Sequence, residues 1–236
     1  MVNTALYNTL TRRMTGGRSN TQSINELINS KKQLMVATFA NLIAQLGITY
    51  YVMTHMTVKE EKHDKTIIFK LIGLFLFQII LIGYIFSPME SWKRLLCFCV
   101  YSISNGVLLS FLTLFISPDI IKMALLGTGA IFASMFSIGL LLIMSGIQLS
   151  YKWGLFLFFT LFFYILFQVY AMFYTVPVTH KTMTTVGIVL FSLYIIYDTN
   201  QILQRNYYGD FITASVDYYL DIINIFVKLT SNLSDN

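Results

Sequence analysis

The stretch DYYLDIINIFVK, residues 217–228, decides how the chain folds. On a helix turning 100° per residue, Asp217, Asp221, Asn224 and Lys228 fall within an arc of about 60°. Leu220, Ile222, Ile223, Ile225, Phe226 and Val227 occupy other positions, and all six are apolar. Such a stripe cannot face lipid tails, because a charge at the bilayer centre costs about 3 kcal/mol or more. It must face other protein or a wet cavity. The helix that carries it therefore belongs at the centre of a bundle.

The rest of the chain supplies that bundle. A bilayer-spanning helix needs about 20 mostly apolar residues. Such runs occur near 33–54, 66–86, 95–117, 120–145, 153–175 and 182–203, and the run that carries the stripe, 213–233, is the seventh and least apolar. KEEKHDK, SPMESWKR, SPD, SYK and PVTHK punctuate them, and the three prolines (88, 118, 177) all lie in these breaks. Uninterrupted helices are expected, not the broken helices of many transporters. Ten-residue runs of alternating polarity, the mark of a membrane β-barrel, are absent. The fold class is an all-α integral membrane protein, a seven-helix bundle with the seventh helix central. Residues 1–32 read as a cytosolic tail, helical near Ser23 to Ile28, and residues 33–236 as the transmembrane domain.

Composition agrees. Hydrophobic residues make up 56% of the 236 and charged residues 11%, with a mean hydropathy of +0.67. A soluble domain carries about 25% charged residues. The net charge of +5 sits mostly between the apolar runs and forms no basic motif, which argues against a nucleic-acid partner. Lys and Arg in short loops orient the chain. With the N-terminus cytosolic, that side holds Arg12, Arg13, Arg18, Lys31, Lys32, Lys93, Arg94, Lys152 and Arg205. The other side holds Lys59, Lys62, Lys65, Lys122 and Lys181. The balance favours a cytosolic N-terminus.

Cys97 and Cys99 lie two apart in an apolar helix, where their side chains point to different faces, so a disulfide between them is not expected; no metal spacing appears, and both read as small hydrophobes in a helix core. Gly129, Ala133 and Ser137 recur every four residues, a spacing that lets helices approach within the bundle, with dimerisation as the alternative. Asn232-Leu-Ser234 is a glycosylation sequon too close to the last span for ready use.

A second buried acid lies in YIIYDTNQIL, residues 194–203. If the sixth run descends to the cytosol and ends near Leu203, Asp198 lies about 7–8 Å inside it. The seventh run rises to put Asp217 at about 6 Å and Asp221 at about 12 Å. Asp198 is thus within reach of either. Two carboxyl groups in contact rarely both ionise, so such a pair shares a proton. Capping of a helix end, or pairing with a Lys or Arg, is the structural alternative.

At these residues the chain resembles the transmembrane Bax-inhibitor-motif family. The likeness rests on LFSLYIIYDTNQI (190–202), ASVDYYLDIINIF (214–226), ALLGTGAIFASMFSIGL (124–140) and WGLFLFFTLFF (153–163). It runs from about residue 33 to the end and is strongest to the Golgi anti-apoptotic branch, including the versions carried by poxviruses. The resemblance implies a calcium leak across an internal membrane, of the Golgi and also of the endoplasmic reticulum, which lowers store calcium and inhibits apoptosis. It implies that Asp198 and Asp221 form a proton-sensitive lock, with calcium as permeant ion, no bound cofactor and no resident metal. Basic residues around helices two and three engage the aspartates in the family. Lys93 and Arg94 occupy that region and are candidate latch residues, solvated surface charge being the alternative. Asp217 is not part of the family pair; with Asn224 it is a candidate for the ion path.

Other function classes fit less well. Membrane proteases with two catalytic aspartates also carry Tyr-Asp, as Tyr197-Asp198 does, but their Gly-x-Gly-Asp partner is missing, and Tyr208-Gly209-Asp210 lies in a polar break. No catalytic motif involves His55, His63 or His180, so an enzyme is not expected. A proton-coupled calcium exchanger and a non-conducting membrane protein that regulates cell death remain as alternatives. The expected partners are the bilayer, calcium and monovalent cations, with a second copy or host membrane proteins in addition.

Overall fold

The computed structural model describes residues 20–56, 66–113, 115–174, 180–204 and 210–234. These residues form seven helices: α1 (Asn20–His55), α2 (Thr66–Ile85), α3 (Ser91–Thr113), α4 (Pro118–Met144), α5 (Tyr151–Phe173), α6 (His180–Gln204) and α7 (Phe211–Ser234). Every apolar run is a helix, and no strand occurs among the described residues. α1 begins at Asn20, so residues 20–32, read as tail, are helical and continuous with the first span.

Among the described residues, five helices are long and apolar enough to cross a membrane: Asn29–His55, Ser91–Leu112, Pro118–Met144, Tyr151–Ala171 and His180–Gln204. Phe69–Ile85 is apolar but shorter. α7 is less apolar because of its stripe, and it is the helix that the others enclose. It packs against α6, α4, α1 and α3, and Val216, Tyr218, Tyr219 and Ile225 on it are fully buried. α2 rests on α3 and α5 rests on α6, both at the outside. Their outward faces carry Phe75, Ile79 and Ile80, and Phe158, Phe162 and Phe163, all exposed in the bundle and suited to acyl chains.

The helix boundaries have local causes. Ser117 caps α4, its hydroxyl accepting from the Ile120 amide, and Pro118 follows at the first turn, where its missing N–H costs nothing. Gly146, at φ +78°, ends α4 in the left-handed region that favours glycine. The Ile147 amide then donates back to the Leu142 carbonyl (2.8 Å).

Close approach is achieved at glycines other than the expected ones. Gly129, Ala133 and Ser137 are exposed, on the outer face of α4, so this stripe does not pack within the bundle as its spacing suggested. The Ser137 hydroxyl instead donates to its own helix at Ala133 O (2.7 Å). Close contacts that involve backbone are at Gly139, where a Cβ would sit 2.7 Å from Thr199 Cβ and 2.9 Å from Ile196 O of α6, and at Gly106, where it would sit 2.8 Å from Thr49 O of α1. Ridge spacing alone did not say which face of α4 turns inward.

Cys97 and Cys99 are free, and both are half-buried rather than fully in the core. At the far end of α7, Asn232 Nδ2 donates to Thr184 Oγ1 and Thr185 Oγ1, 3.0 Å each, which ties the sequon asparagine to α6.

Candidate functional site

Asp198 and Asp221 come together. Asp198 lies six residues before the end of α6 and Asp221 ten residues after the start of α7, which places them about 9 and 15 Å above the same edge. The helices are antiparallel neighbours, and side chains lean toward the N-terminus of their own helix. Asp198 therefore leans away from the edge and Asp221 toward it, which closes the offset. Their carboxyl groups lie within hydrogen-bonding reach of each other. Asp221 is only 4% exposed, and its Oδ2 has no hydrogen-bond partner. Asp198 and Asp217 are half-buried, and the charge of Asp217 is close enough to act on both of the others.

The residues after Asp198 hold it in place, a role that the sequence reading missed. Thr199 Oγ1 receives the Tyr218 hydroxyl at 3.0 Å, and Tyr218 is wedged against Phe132 with centroids 5.4 Å apart. Asn200, fully buried, accepts from the Leu149 amide (2.8 Å) and donates to the Ile147 carbonyl (3.0 Å). Gln201 donates to the Leu149 carbonyl at 2.6 Å. Thus the run Asp-Thr-Asn-Gln pairs, braces and staples: its polar residues bind the α4–α5 connection to the end of α6. Leaving buried backbone groups unpaired costs about 1–3 kcal/mol each. Asn200→Leu, which removes the partner of the Leu149 amide and of the Ile147 carbonyl, both part-buried, is expected to lower stability by about 1–2 kcal/mol, read as a drop in melting temperature of the purified protein in detergent.

A second polar surface runs along the opposite side of α7. Asn41 donates to Ser215 Oγ (2.6 Å), Gln45 Oε1 accepts from Ser102 (2.8 Å), and Thr49 Oγ1 lies 2.6 Å from the Tyr219 hydroxyl. Asn41, Gln45 and Thr49 recur every four residues on α1, so one face meets α3 and α7 over about 12 Å. The four-residue period of these polar residues is present in the sequence, within a run that is otherwise apolar.

The expected latch is arranged differently. Lys93 points outward and pairs with Glu90 at 3.0 Å. Arg94 Nη2 donates to Asp210 Oδ2 (2.9 Å) and to Thr213 Oγ1 (2.7 Å), and its Nε donates to Ile85 O (2.6 Å). Arg94 thus meets Asp210, not the aspartate pair, and ties the end of α2 and the start of α3 to the start of α7. Asp210 Oδ1 also accepts the Thr213 amide (3.1 Å), so it caps α7. Asp210, at the end of a polar break in the sequence, thus stands at the start of α7; Tyr208 and Gly209 beside it, like His63, lie outside the described residues. Asn224, a candidate for the ion path, is half-buried and donates to its own helix at Leu220 O (2.7 Å).

Burial raises the Asp210 carboxyl, but hydrogen bonds from Arg94 and Thr213 outweigh it and hold it below the usual carboxylate range. A depressed folded value means that the clamp contributes its stability above the unfolded carboxylate value of about 3.9 and loses it only at lower pH. Between about pH 5 and pH 8 it is constant. Asp210→Asn is therefore expected to leave any pH response of flux in that window unchanged, which flux traces at a series of pH values will check.

Comparison with known proteins agrees with the architecture. The family described as inhibitor of apoptosis-promoting Bax1 matches residues 31–236. Bax inhibitor 1 of Schizosaccharomyces pombe is 25% identical over 223 residues, which cover 89% of this chain and 79% of that protein. Protein LIFEGUARD 1 of Arabidopsis thaliana is 40% identical over 47 residues, and Protein LIFEGUARD 4 is 46% identical over 41. These matches span about a fifth of the length of each LIFEGUARD protein, 20% and 17%.

Proposed function

The chain belongs to the family of inhibitors of apoptosis-promoting Bax1, a multi-pass membrane family implicated in apoptosis inhibition, and on that premise we propose that it is a calcium-permeable cation leak gated by Asp198 and Asp221. The observation that carries the proposal is the pair itself. Two carboxyl groups meet between the two most buried helices, and one oxygen of Asp221 is buried with no partner. Buried charge of this kind is expensive and marks ion or proton paths in membrane bundles. When the pair shares a proton, its hydrogen bond joins α6 to α7. When the proton leaves, two negative charges repel, α6 and α7 separate, and the oxygens replace part of a cation's hydration while repelling anions.

The Arg94–Asp210 clamp fixes the base of α7 in this scheme, so that separation is hinged at that end. The membrane would be that of the Golgi or endoplasmic reticulum, with the N-terminus cytosolic. A steady leak lowers the calcium that a death signal can release, which links the site to apoptosis inhibition. Single-channel recording of the purified full chain with calcium and potassium at several pH values tests the reading. Discrete, pH-dependent openings are expected. Flux that saturates and follows a pH gradient would instead identify an exchanger, and silence under every condition would overturn conduction altogether.

A further inference from the structure

The polar stripe on α7 ends in a cation that neither the aspartate pair nor the clamp uses. Lys228 lies seven residues beyond Asp221 on the same face, about 10 Å along the axis. It is half-buried, and among the described residues no carboxylate lies within ion-pair distance of it. Its amine instead sits over the ring of Tyr164 on α5, 5.4 Å from the centroid, a cation–π geometry.

The seat is assembled from three helices. The Tyr164 hydroxyl donates to Met183 O (3.0 Å) and accepts from Gln168 Nε2 (3.0 Å), so the ring is fixed between α5 and α6. Gly187 of α6 is buried beneath it, and a Cβ there would lie 3.3 Å from Lys228 Cδ. The space left by the missing side chain is filled first by the Tyr164 hydroxyl, with the lysine stem alongside it. Depth excludes simple snorkelling to the far surface. Lys228 is 17 residues from the start of α7 and Tyr164 is 13 from the start of α5, levels of about 26 and 20 Å above the same edge. The amine is therefore folded back toward the bilayer middle, on the side of the aspartates.

We propose that Lys228 is a built-in cation that sets which ions reach the aspartate pair, acting against divalent ions more than monovalent ones. This inference rests on the conduction reading above. The ammonium repels any cation that approaches the pair along the shared face of α7, and a second charge on the ion doubles the repulsion. At about 10 Å and an effective permittivity near 20, the extra unit of charge changes occupancy on the order of tenfold. Lys228 thus throttles calcium relative to potassium and keeps the leak slow.

The test is the calcium-to-potassium permeability ratio, from reversal potentials of the purified full chain in planar bilayers. Lys228→Met, which keeps length and removes charge, is expected to raise the ratio by about tenfold, and Lys228→Arg to leave it near the wild-type value. Tyr164→Leu removes the seat but not the charge; an altered ratio there, with Lys228 intact, supports the same assignment by a variant that does not touch α7. A wild type that conducts, with the same ratio in Lys228→Met and in Tyr164→Leu, overturns the inference alone. A silent wild type overturns the conduction reading and this inference with it.

Discussion

Asp221→Asn is expected to abolish calcium flux through reconstituted vesicles, or to reduce it by an order of magnitude or more, and to flatten its pH response. The amide keeps the shape of the carboxyl but cannot lose a proton and become charged, so the α6–α7 hydrogen bond becomes permanent and the repulsion that opens the pair never arises. The effect is expected to be specific to this oxygen pair. Asp210→Asn, at the edge clamp, keeps the pH response, because that carboxyl is ionised throughout the window concerned. Asp198→Asn should reproduce the loss, since either member disables the pair. Flux and pH dependence that survive in both variants would remove the gating role from these residues and leave them as buried structural acids.

Gly139→Leu is expected to be the most destabilising single change in the bundle. Gly139 of α4 is buried against α6, and even a Cβ there would meet Thr199 Cβ at 2.7 Å and the Ile196 carbonyl at 2.9 Å. Backbone cannot step aside as a long side chain can. Two effects compete in the smaller change, Gly139→Ala: alanine gains about 1 kcal/mol in helix propensity, while overpacking costs about 1–3 kcal/mol. The contact with the Ile196 backbone decides for the clash. The larger side chain must separate α4 from α6 along their length, which costs about 3 kcal/mol or more, and it shifts Thr199, the neighbour of Asp198. Thermal melts of the purified variants, with Gly129→Leu as an exposed control on the same helix, will check this. A Gly129→Leu protein as unstable as Gly139→Leu would show that α4 packs by its other face.

The contrast between these two glycines shows where sequence reasoning stopped. Gly129, Ala133 and Ser137 form the clearer pattern, yet they lie outside, while Gly139 makes the contact with the backbone of α6. In lipid both faces of α4 are apolar, so periodicity could not say which turns inward. Arg94 was similarly legible as a cation near the right edge, but its partner was not, since Asp210 comes 116 residues later and its approach depends on how α3 and α7 cross.

By itself the sequence determined the number of helices, their approximate ends, and the central place of α7. Apolar length sets what can span a bilayer, and a charged stripe cannot be turned toward acyl chains. It also determined that Asp198 and Asp221 would lie at nearby depths, because rise per residue is fixed. Only the tertiary structure decided what each polar group touches: Arg94 on Asp210, Asn200 and Gln201 on the α4–α5 connection, Asn41 and Thr49 on the far side of α7, and Lys228 on Tyr164. Those pairings depend on helix rotation and crossing, which are set by packing between segments far apart in the chain, and no local pattern of residues specifies them.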